Sequence, residues 1–249
     1  MRSGGHHLEP LGSRATLSAV RWVPFHFFPG SPRLEQPSPP PVATPNDAQP
    51  GKADWRRDLR SARQALSASQ RQQQSKTACD HITPLPDWRD ARIIASYFAL
   101  PEEFDPNGLD EIAREQGKTV VYPRIVGNQL HFHPWLPGEP LEQVAGVKQP
   151  SNIHAAVMAN QLDLVLVPLV GVDSEGYRLG MGGGYYDQFL PSTHAVRLGV
   201  GFSCQRVDKL PHESHDQRLD GFLSGDGLER FGLETWAAST DAFAKVTEQ

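Results

Sequence analysis

The sequence lacks three features that mark specialised classes of protein. Two cysteines, Cys79 and Cys204, among 249 residues are too few for the disulfide framework of a small secreted domain. No apolar run reaches the roughly 18 residues that a transmembrane helix needs. Positive charge is not in excess, because the formal net charge is −5, and this disfavours a general nucleic-acid binder. We therefore predict a cytoplasmic globular protein without a membrane or nucleic-acid partner.

Proline and small polar residues are concentrated in residues 1–51, which we predict to be a disordered extension. A misassigned start codon is an equally acceptable explanation for this segment. The apolar patch Val20–Phe28 contains Pro24 and precedes no small-residue cleavage pattern, which disfavours a signal peptide. We assign one domain to residues 52–230 and a C-terminal tail to residues 231–249.

Hydrophobic periodicity alternates between helix and strand along this domain. Apolar side chains recur at helical spacing from Asp54 to Leu66, and Ser67 or Ser69 can cap a polar helix through Cys79. Unbroken or alternating apolar runs predict the strands. The pattern predicts a single α/β domain, three-layered and Rossmann-like, with a parallel or mixed sheet. The predicted strands are 91–100, 118–125, 128–135, 162–173 and 196–202, and further helices are predicted at 108–117 and from Tyr185.

A glycine cluster at Gly180 and Gly182–Gly184 lies between the strongest predicted strand and a predicted helix. Glycines let the backbone approach a ligand closely, and a helix N-terminus favours an anion such as phosphate. Arg178 adds a charge-assisted donor. A tight turn without a ligand is the alternative. The spacing fits neither a Walker loop nor a dinucleotide fingerprint, whose third glycine would fall on Tyr185.

Two pairs of histidines are candidate metal ligands. His131 and His133 alternate on a predicted strand, and His212 and His215 lie near the C-terminal end of the domain. Alternate strand positions share one face, but no third ligand occurs at a recognisable spacing. Zinc is therefore disfavoured.

Several motifs together resemble one enzyme family. RLGMGGGYYD, which follows VPLVGVDSEG, resembles the signature of the 5-formyltetrahydrofolate cyclo-ligase (5,10-methenyltetrahydrofolate synthetase) family. KADWRR, ASYFALPEEFDP, TVVYPRI and VGFSCQRVDKLPHESHDQRLD are similar to its other motifs, in the same order. The resemblance extends over Lys52–Gly225, and several motifs in register are more specific than one.

The resemblance implies an ATP- and Mg²⁺-dependent ring closure of 5-formyltetrahydrofolate. The formyl oxygen is a poor leaving group, so the γ-phosphoryl group would first be transferred to it. Attack by N10 would then close the ring and expel phosphate. Such a reaction needs positioning and positive charge more than covalent chemistry from the protein.

The same resemblance assigns roles to individual residues. Phe98, Glu103 and Tyr185 would contact the folate, with Glu102 as an alternative one residue away. Asp187 and Asp216 would bind Mg²⁺. The ATP site would comprise Lys52, Arg56, Arg178, Leu179, Gly180, Met181, Gly182, Gly183, Gly184, Tyr185 and Tyr186.

Each assignment has an ordinary alternative. Arg56 also fits a solvated helix face, since other arginines lie nearby, and Glu103 fits an exposed loop acid. Asp187 fits an acid in the first turn of a helix, stabilised by its dipole, and Asp216 a surface loop acid. Many family members carry basic residues where Met181 and Gly183 stand, and this leaves the relative ATP affinity open.

Two other functions are compatible with the sequence. One is a non-catalytic relative that binds folate or nucleotide, although the matched residues are all present. The other is a dinucleotide-dependent oxidoreductase, which the missing third glycine disfavours. We expect a monomer.

Overall fold

Eleven strands and five α-helices make up the described residues, 50–144 and 146–232, of the computed structural model. The helices are α1 Lys52–Gln64, α2 Ala68–Ile82, α3 Pro86–Asp90, α4 Asn107–Glu115 and α5 Tyr185–Phe189. The strands are β1 Ile93–Ala95, β2 Thr119–Val126, β3 Gln129–Pro134, β4 Leu141–Val144, β5 Val147–Pro150, β6 Leu164–Pro168, β7 Gly171–Val172, β8 Arg178–Leu179, β9 Val196–Val200, β10 Gly221–Ser224 and β11 Gly227–Arg230.

A seven-stranded sheet in the order β11-β10-β9-β6-β1-β2-β3 forms the centre of the fold. The strands from β10 to β2 run parallel, and β11 and β3 are antiparallel strands at the two edges. Helical crossovers between parallel strands cover both faces of such a sheet. The predicted α/β fold with a mixed sheet is therefore confirmed.

Alternate residues of each central strand face opposite layers. Leu164 and Leu166 pack with residues of α2, α3 and α4, whereas Val165 and Val167 pack with residues of α5 and the turn that follows it. All four side chains are fully buried. Burial on both faces explains why β6 reads as an unbroken apolar run in the sequence.

Helix α1 packs at the carboxyl end of the parallel strands, where chain segments leave the sheet. Its Leu59 contacts Val170, Leu179 and Leu210 in a third, smaller apolar cluster. A Cβ on Gly171 would lie 2.4 Å from Leu59 Cδ1, so glycine permits this close approach. Ligands of open α/β sheets bind at this edge.

The predicted strand 162–173 is wrong in its second half. β6 ends at Pro168, and Gly171–Val172 pairs instead with β8 in a separate two-stranded sheet. The side-chain amide of Gln205 donates to the carbonyl oxygens of Leu169 and Val170 at 2.8 and 3.0 Å. These bonds satisfy the backbone that no longer has a neighbouring strand in the main sheet.

Other boundaries also differ from the predictions. The first strand spans Ile93–Ala95 rather than 91–100, because Tyr97 is held by a bond from its hydroxyl to the Phe104 carbonyl. α1 begins at Lys52 instead of Asp54, and Ser67 caps a second helix that continues to Ile82. The domain includes Phe231, whose side chain is buried in the core.

The hairpin formed by β4 and β5, and strands β10 and β11, were not among the predicted elements. Apart from their inner ends, the extension 1–51 and the tail 231–249 lie outside the described residues. Within the part of the chain that the structure describes, no helix has the length and apolar character to cross a membrane.

A buried carboxyl group lies beneath the aromatic side chains at the end of β1. Asp110 of α4 is 2% exposed and accepts a 2.7 Å bond from the Tyr122 hydroxyl, and the Tyr122 ring stacks on Phe98. Burial raises the pKa of Asp110 to about 6, because the Tyr122 hydrogen bond and the nearby charge of Arg114 only partly offset the loss of solvation.

This raised pKa makes the stability depend on pH. Between about pH 4 and pH 6 the folded protein holds a proton on Asp110 that the unfolded chain has released, so the free energy of unfolding falls as pH rises. In the wild-type protein we expect the free energy of unfolding to fall by on the order of 2–3 kcal/mol over that window, and we expect Asp110→Asn to abolish this fall. Urea unfolding at several pH values measures it, and an unchanged slope in the variant would contradict the assignment.

Candidate functional site

The glycine cluster forms a loop between β8 and α5 whose backbone requires glycine at two positions. Gly182 and Gly184 have φ angles of 103° and 66°, which side-chain-bearing residues rarely adopt. Arg56 Nε donates a 2.9 Å bond to the Gly180 carbonyl oxygen. The guanidinium also lies against Gly182, where an added Cβ would come within 3.7 Å of Arg56 Cζ. Arg56 therefore faces the loop rather than bulk solvent.

Arg178 is the buried centre of this region, with its side chain 4% exposed. Its Nη1 donates to Asp187 Oδ1 at 3.1 Å and to the Gln217 carbonyl oxygen at 3.3 Å. Burial lowers the pKa of Arg178, and the Asp187 carboxylate opposes that change. Because an arginine guanidinium remains charged in proteins, the site keeps a fixed positive charge beside the loop.

Lys52, at the start of α1, is paired with two acids of the loop 206–220 that precedes β10, here called the closing loop. Its Nζ lies 2.7 Å from Asp216 Oδ2 and 3.0 Å from Glu213 Oε1. Burial would raise the pKa of Asp216, but hydrogen bonds from Lys52 and the Glu213 N–H lower it below its usual value. Burial would lower the pKa of Lys52, and the two acids raise it instead. Both groups are charged near neutral pH.

The two predicted metal ligands, Asp187 and Asp216, are connected through the peptide group between Asp216 and Gln217. The N–H of Gln217, the residue after Asp216, donates to Asp187 Oδ1 at 3.2 Å. Each carboxylate keeps one oxygen, Asp187 Oδ2 and Asp216 Oδ1, that makes no hydrogen bond among the described residues, and His215 Nε2 lies 3.9 Å from Asp216 Oδ1. Two carboxylates with oxygens that make no hydrogen bond fit Mg²⁺, which usually completes its coordination with waters and phosphate oxygens.

Glu103 lies in the loop between β1 and α4, where its side chain is mostly buried. Its Oε2 accepts a 3.0 Å bond from the Leu100 N–H, and its side chain is 10% exposed. Arg63 Nη1 lies 4.0 Å from Glu103 Oε1. The hydroxyl of Tyr186 is buried without a partner among the described residues, and the charge of Glu103 adds to the burial that raises the pKa of Tyr186. Glu102 is 41% exposed, so the geometry favours Glu103 as the site residue.

The other two predicted folate-binding residues, Phe98 and Tyr185, make no described contact with Glu103. Phe98 stacks on Tyr122 with ring centroids 4.3 Å apart and meets Trp135 edge-on at 5.2 Å. Tyr185 is half-buried and lies over Gly183, where a Cβ would come within 2.9 Å of the ring. Both residues remain predicted contacts.

Two members of the predicted ATP set differ in character from the others. The Leu179 side chain is 3% exposed and belongs to the apolar cluster around Leu59. Its carbonyl oxygen accepts from the Val170 N–H at 2.7 Å, so Leu179 serves the fold. Met181 is 50% exposed at the tip of the loop.

The helix that follows the loop begins at Tyr185, as predicted, and is short. α5 contains five residues and continues into a 3₁₀ turn at Leu190–Ser192. So short a helix has a small dipole, and the positive potential comes mainly from Arg56, Arg178 and Lys52.

Among the described residues, the histidines and cysteines form no cluster of three or more potential metal ligands. His133 Nδ1 contacts the His154 carbonyl oxygen at 2.8 Å. In the residues that the structure describes, no group of three or more potential ligands could hold a metal ion. Cys79 and Cys204 are free and half-buried, and burial raises the pKa of the Cys79 thiol to about 11.

Sequence reasoning missed two residues that the geometry brings into the site. Gln217 supplies a carbonyl to Arg178 and an N–H to Asp187, and main-chain contacts of this kind have no signature in the sequence. Arg63 lies four residues after the buried Leu59, on the same helical face. A charged residue at a core-facing position was the signal that could have identified it.

Comparison with known proteins agrees with this geometry. Residues 48–224 match the model of the 5-formyltetrahydrofolate cyclo-ligase family. The 5-formyltetrahydrofolate cyclo-ligase of Haemophilus influenzae is 33% identical over 68% of this chain and 95% of its own length. That of Escherichia coli K12 is 30% identical over 67% and 96%. The structure of Aquifex aeolicus 5,10-methenyltetrahydrofolate synthetase has a TM-score of 0.65 and 28% identity, covering 72% of this chain and 92% of that one.

The position of Arg178 leads to a stability prediction. Arg178→Met leaves the Asp187 carboxylate and the Gln217 carbonyl without their buried donor, so we expect a loss of about 2 kcal/mol in the free energy of unfolding. Arg57→Met is the matched control, because Arg57 is exposed on α1. Urea unfolding compares them, and equal midpoints for the two variants would contradict the role assigned to Arg178.

Proposed function

Because this chain belongs to the 5-formyltetrahydrofolate cyclo-ligase family, we propose that it converts 5-formyltetrahydrofolate to 5,10-methenyltetrahydrofolate with the use of ATP and Mg²⁺. ADP and phosphate would be released. The observation that supports this reaction most directly is that Arg56 bonds the glycine loop, Arg178 bonds Asp187 at the start of α5, and Lys52 bonds the second carboxylate, Asp216. Three cations beside a glycine loop and two carboxylates suit a triphosphate with its metal ion.

The chemistry requires activation of a poor leaving group. The γ-phosphoryl group is transferred to the formyl oxygen, which then leaves with phosphate as N10 forms the new C–N bond and loses its proton. Charge spreads over the phosphoryl oxygens during transfer, and fixed cations stabilise it. Arg178 cannot move away from the loop, because it is buried and bonded to Asp187 and Gln217. Lys52 supplies a compact point charge and Arg56 a planar donor.

We place the nucleoside in a cavity at the start of α1 that is lined in part by Trp55. The cavity measures about 470 Å³, and Trp55 lies within one turn of Lys52 on α1. The His212 ring stacks on Tyr177 with centroids 3.7 Å apart, which fixes one part of the wall. Flat, largely apolar walls suit a purine ring. The lining residues are Pro50, Trp55, Lys209, Leu210, Pro211 and His212.

Asp187 and Asp216 are the residues that would hold Mg²⁺, each through its free carboxylate oxygen. The ion would neutralise phosphate charge when bound. Asp216 is already oriented by Lys52 and the Glu213 N–H, and Asp187 by Arg178. These contacts fix the carboxylates before any nucleotide binds.

Glu103 is the proposed recognition group for the pterin ring. A carboxylate accepts paired hydrogen bonds from a ring N–H and an adjacent amino group. Its Oε2 is oriented by the Leu100 N–H, and its small exposed fraction limits competition from water. Tyr185 and Phe98 would supply the apolar contacts.

We further propose that the protein acts as a monomer in the cytoplasm and binds no nucleic acid. The negative formal charge supports the last point. The rival functions are a non-catalytic folate-binding relative and a dinucleotide-dependent oxidoreductase.

The first experiment follows the methenyl absorbance band when purified protein meets 5-formyltetrahydrofolate, ATP and Mg²⁺. We expect a rise that needs all three components. Lys52→Ala should reduce the rate about 100-fold, because one fixed charge at the phosphates is lost. Arg57→Ala is the control, since Arg57 lies on the same helix but is exposed and pairs with Asp54 and Asp58.

The outcomes separate the candidate functions. Glu103→Ala should abolish turnover, and a near-normal rate would overturn the role of that residue. A flat trace from folded protein that still binds the folate would support the non-catalytic relative. Binding of NAD(H) in a titration, without turnover of the folate, would support the oxidoreductase.

A further inference from the structure

One stripe of α1 connects the two halves of the proposed site. Lys52, Arg56, Leu59 and Arg63 are spaced four, three and four residues apart and therefore share one helical face. Lys52 pairs with Asp216, Arg56 with the glycine loop, and Arg63 lies at the folate end. The stripe covers about 16 Å along the helix axis. The role of Arg63 at that end is assigned by neither the family resemblance nor the proposed mechanism.

Arg63 is buried in a way that ordinary packing does not explain. Its side chain is 1% exposed, yet Nε and Nη1 make no hydrogen bond among the described residues. Neighbouring Arg60 is exposed, so the sequence offers a solvated alternative one turn away. A buried cation without directional partners is costly and needs a compensating charge.

The compensating charges are the two acids of the loop after β1. Arg63 Nη1 lies 4.0 Å from Glu103 Oε1, and Nη2 lies 3.8 Å from Glu102 Oε2. Both separations exceed hydrogen-bond length, so the guanidinium balances charge rather than tying the loop down. The loop is held instead by two hydrogen bonds, one from the Leu100 N–H to Glu103 and one from the Gln64 side chain to Glu102.

We propose that Arg63 is a positioning residue for folate recognition, which acts by orienting the Glu103 carboxylate toward the pterin ring. The inference rests on the proposed function. Glu103 Oε2 is fixed by the Leu100 N–H, which leaves Oε1 on the side of Arg63. The guanidinium charge determines where that second oxygen settles, and a carboxylate that must accept two bonds needs both oxygens in place.

A double-mutant cycle tests this role by binding alone. The dissociation constant of 5-formyltetrahydrofolate is measured without ATP for wild type, Arg63→Met, Glu103→Gln and the double variant. We expect Arg63→Met to weaken binding about tenfold, and to add little once Glu103→Gln is present, because contacting residues of one network couple. Arg60→Met is the matched control and should bind normally. Additive effects, or normal binding by Arg63→Met, would overturn the proposal.

Stability and nucleotide affinity separate positioning from a merely structural role. Among the described residues, Arg63 makes no hydrogen bond whose loss would leave a partner unsatisfied, and Glu103 keeps its bond from the Leu100 N–H. Arg63→Met should therefore change the thermal midpoint much less than Arg178→Met. The KM for ATP should stay within about twofold of wild type. If Arg63→Met does not fold, Arg63→Lys takes its place in the cycle and should show partial coupling to Glu103. A wild-type protein that binds no folate would overturn the proposed function, and this inference with it.

Discussion

The buried guanidinium of Arg178 is the contact on which the geometry of the site depends. It joins β8 to the first turn of α5, on the two sides of the glycine loop, and to the main chain of Gln217, which is 39 residues away in sequence. The exposed Met181 is the side chain of the Gly180–Gly184 loop, so side-chain packing within the loop does little to hold its shape, and Gly182 and Gly184 have backbone conformations that cost entropy to fix. Fixing both ends of the loop to one rigid cation restricts that freedom.

The elements that were predicted correctly are those in which local pattern and tertiary environment agree. β6 is buried on both faces, so its apolar run is a direct consequence of its place in the sheet. Ser67 caps α2 through a hydrogen bond only three residues away, and local chemistry of this kind is visible in the sequence. The prediction of α2 therefore did not depend on knowing which residues pack against the helix.

The elements that were missed or misread depend on distant residues. Leu169–Val172 is as apolar as β6, but the amide of Gln205, more than thirty residues later, bonds its backbone and draws it out of the main sheet. The hairpin of β4 and β5 is exposed along β4, so it lacks the alternation by which strands are recognised. Pairing partners, rather than propensity, decide such segments.

The candidate site divides in the same way. The glycines were proposed as an anion site from their own pattern, whereas Asp187 was proposed as a metal ligand from the family resemblance, and both assignments remain predictions. Gln217 acts through its main chain, and no side-chain pattern reveals such a role. Phe98 was predicted as a folate contact from the family resemblance. Its ring is part of an aromatic cluster with Tyr122, which lies in β2, and Trp135, which follows β3.

Helix α1 explains how a charge at one end of the site can be matched to the other. A helix fixes the spacing of its side chains, so Lys52 cannot reach Asp216, nor Arg56 the glycine loop, without also placing Arg63 beside Glu103. Leu59, buried against Leu210 and Val170, sets the rotation of the helix. A change in the packing of this one leucine would therefore move Lys52, Arg56 and Arg63 together. The two halves of the proposed site are thus coupled through a rigid helix rather than through direct contact.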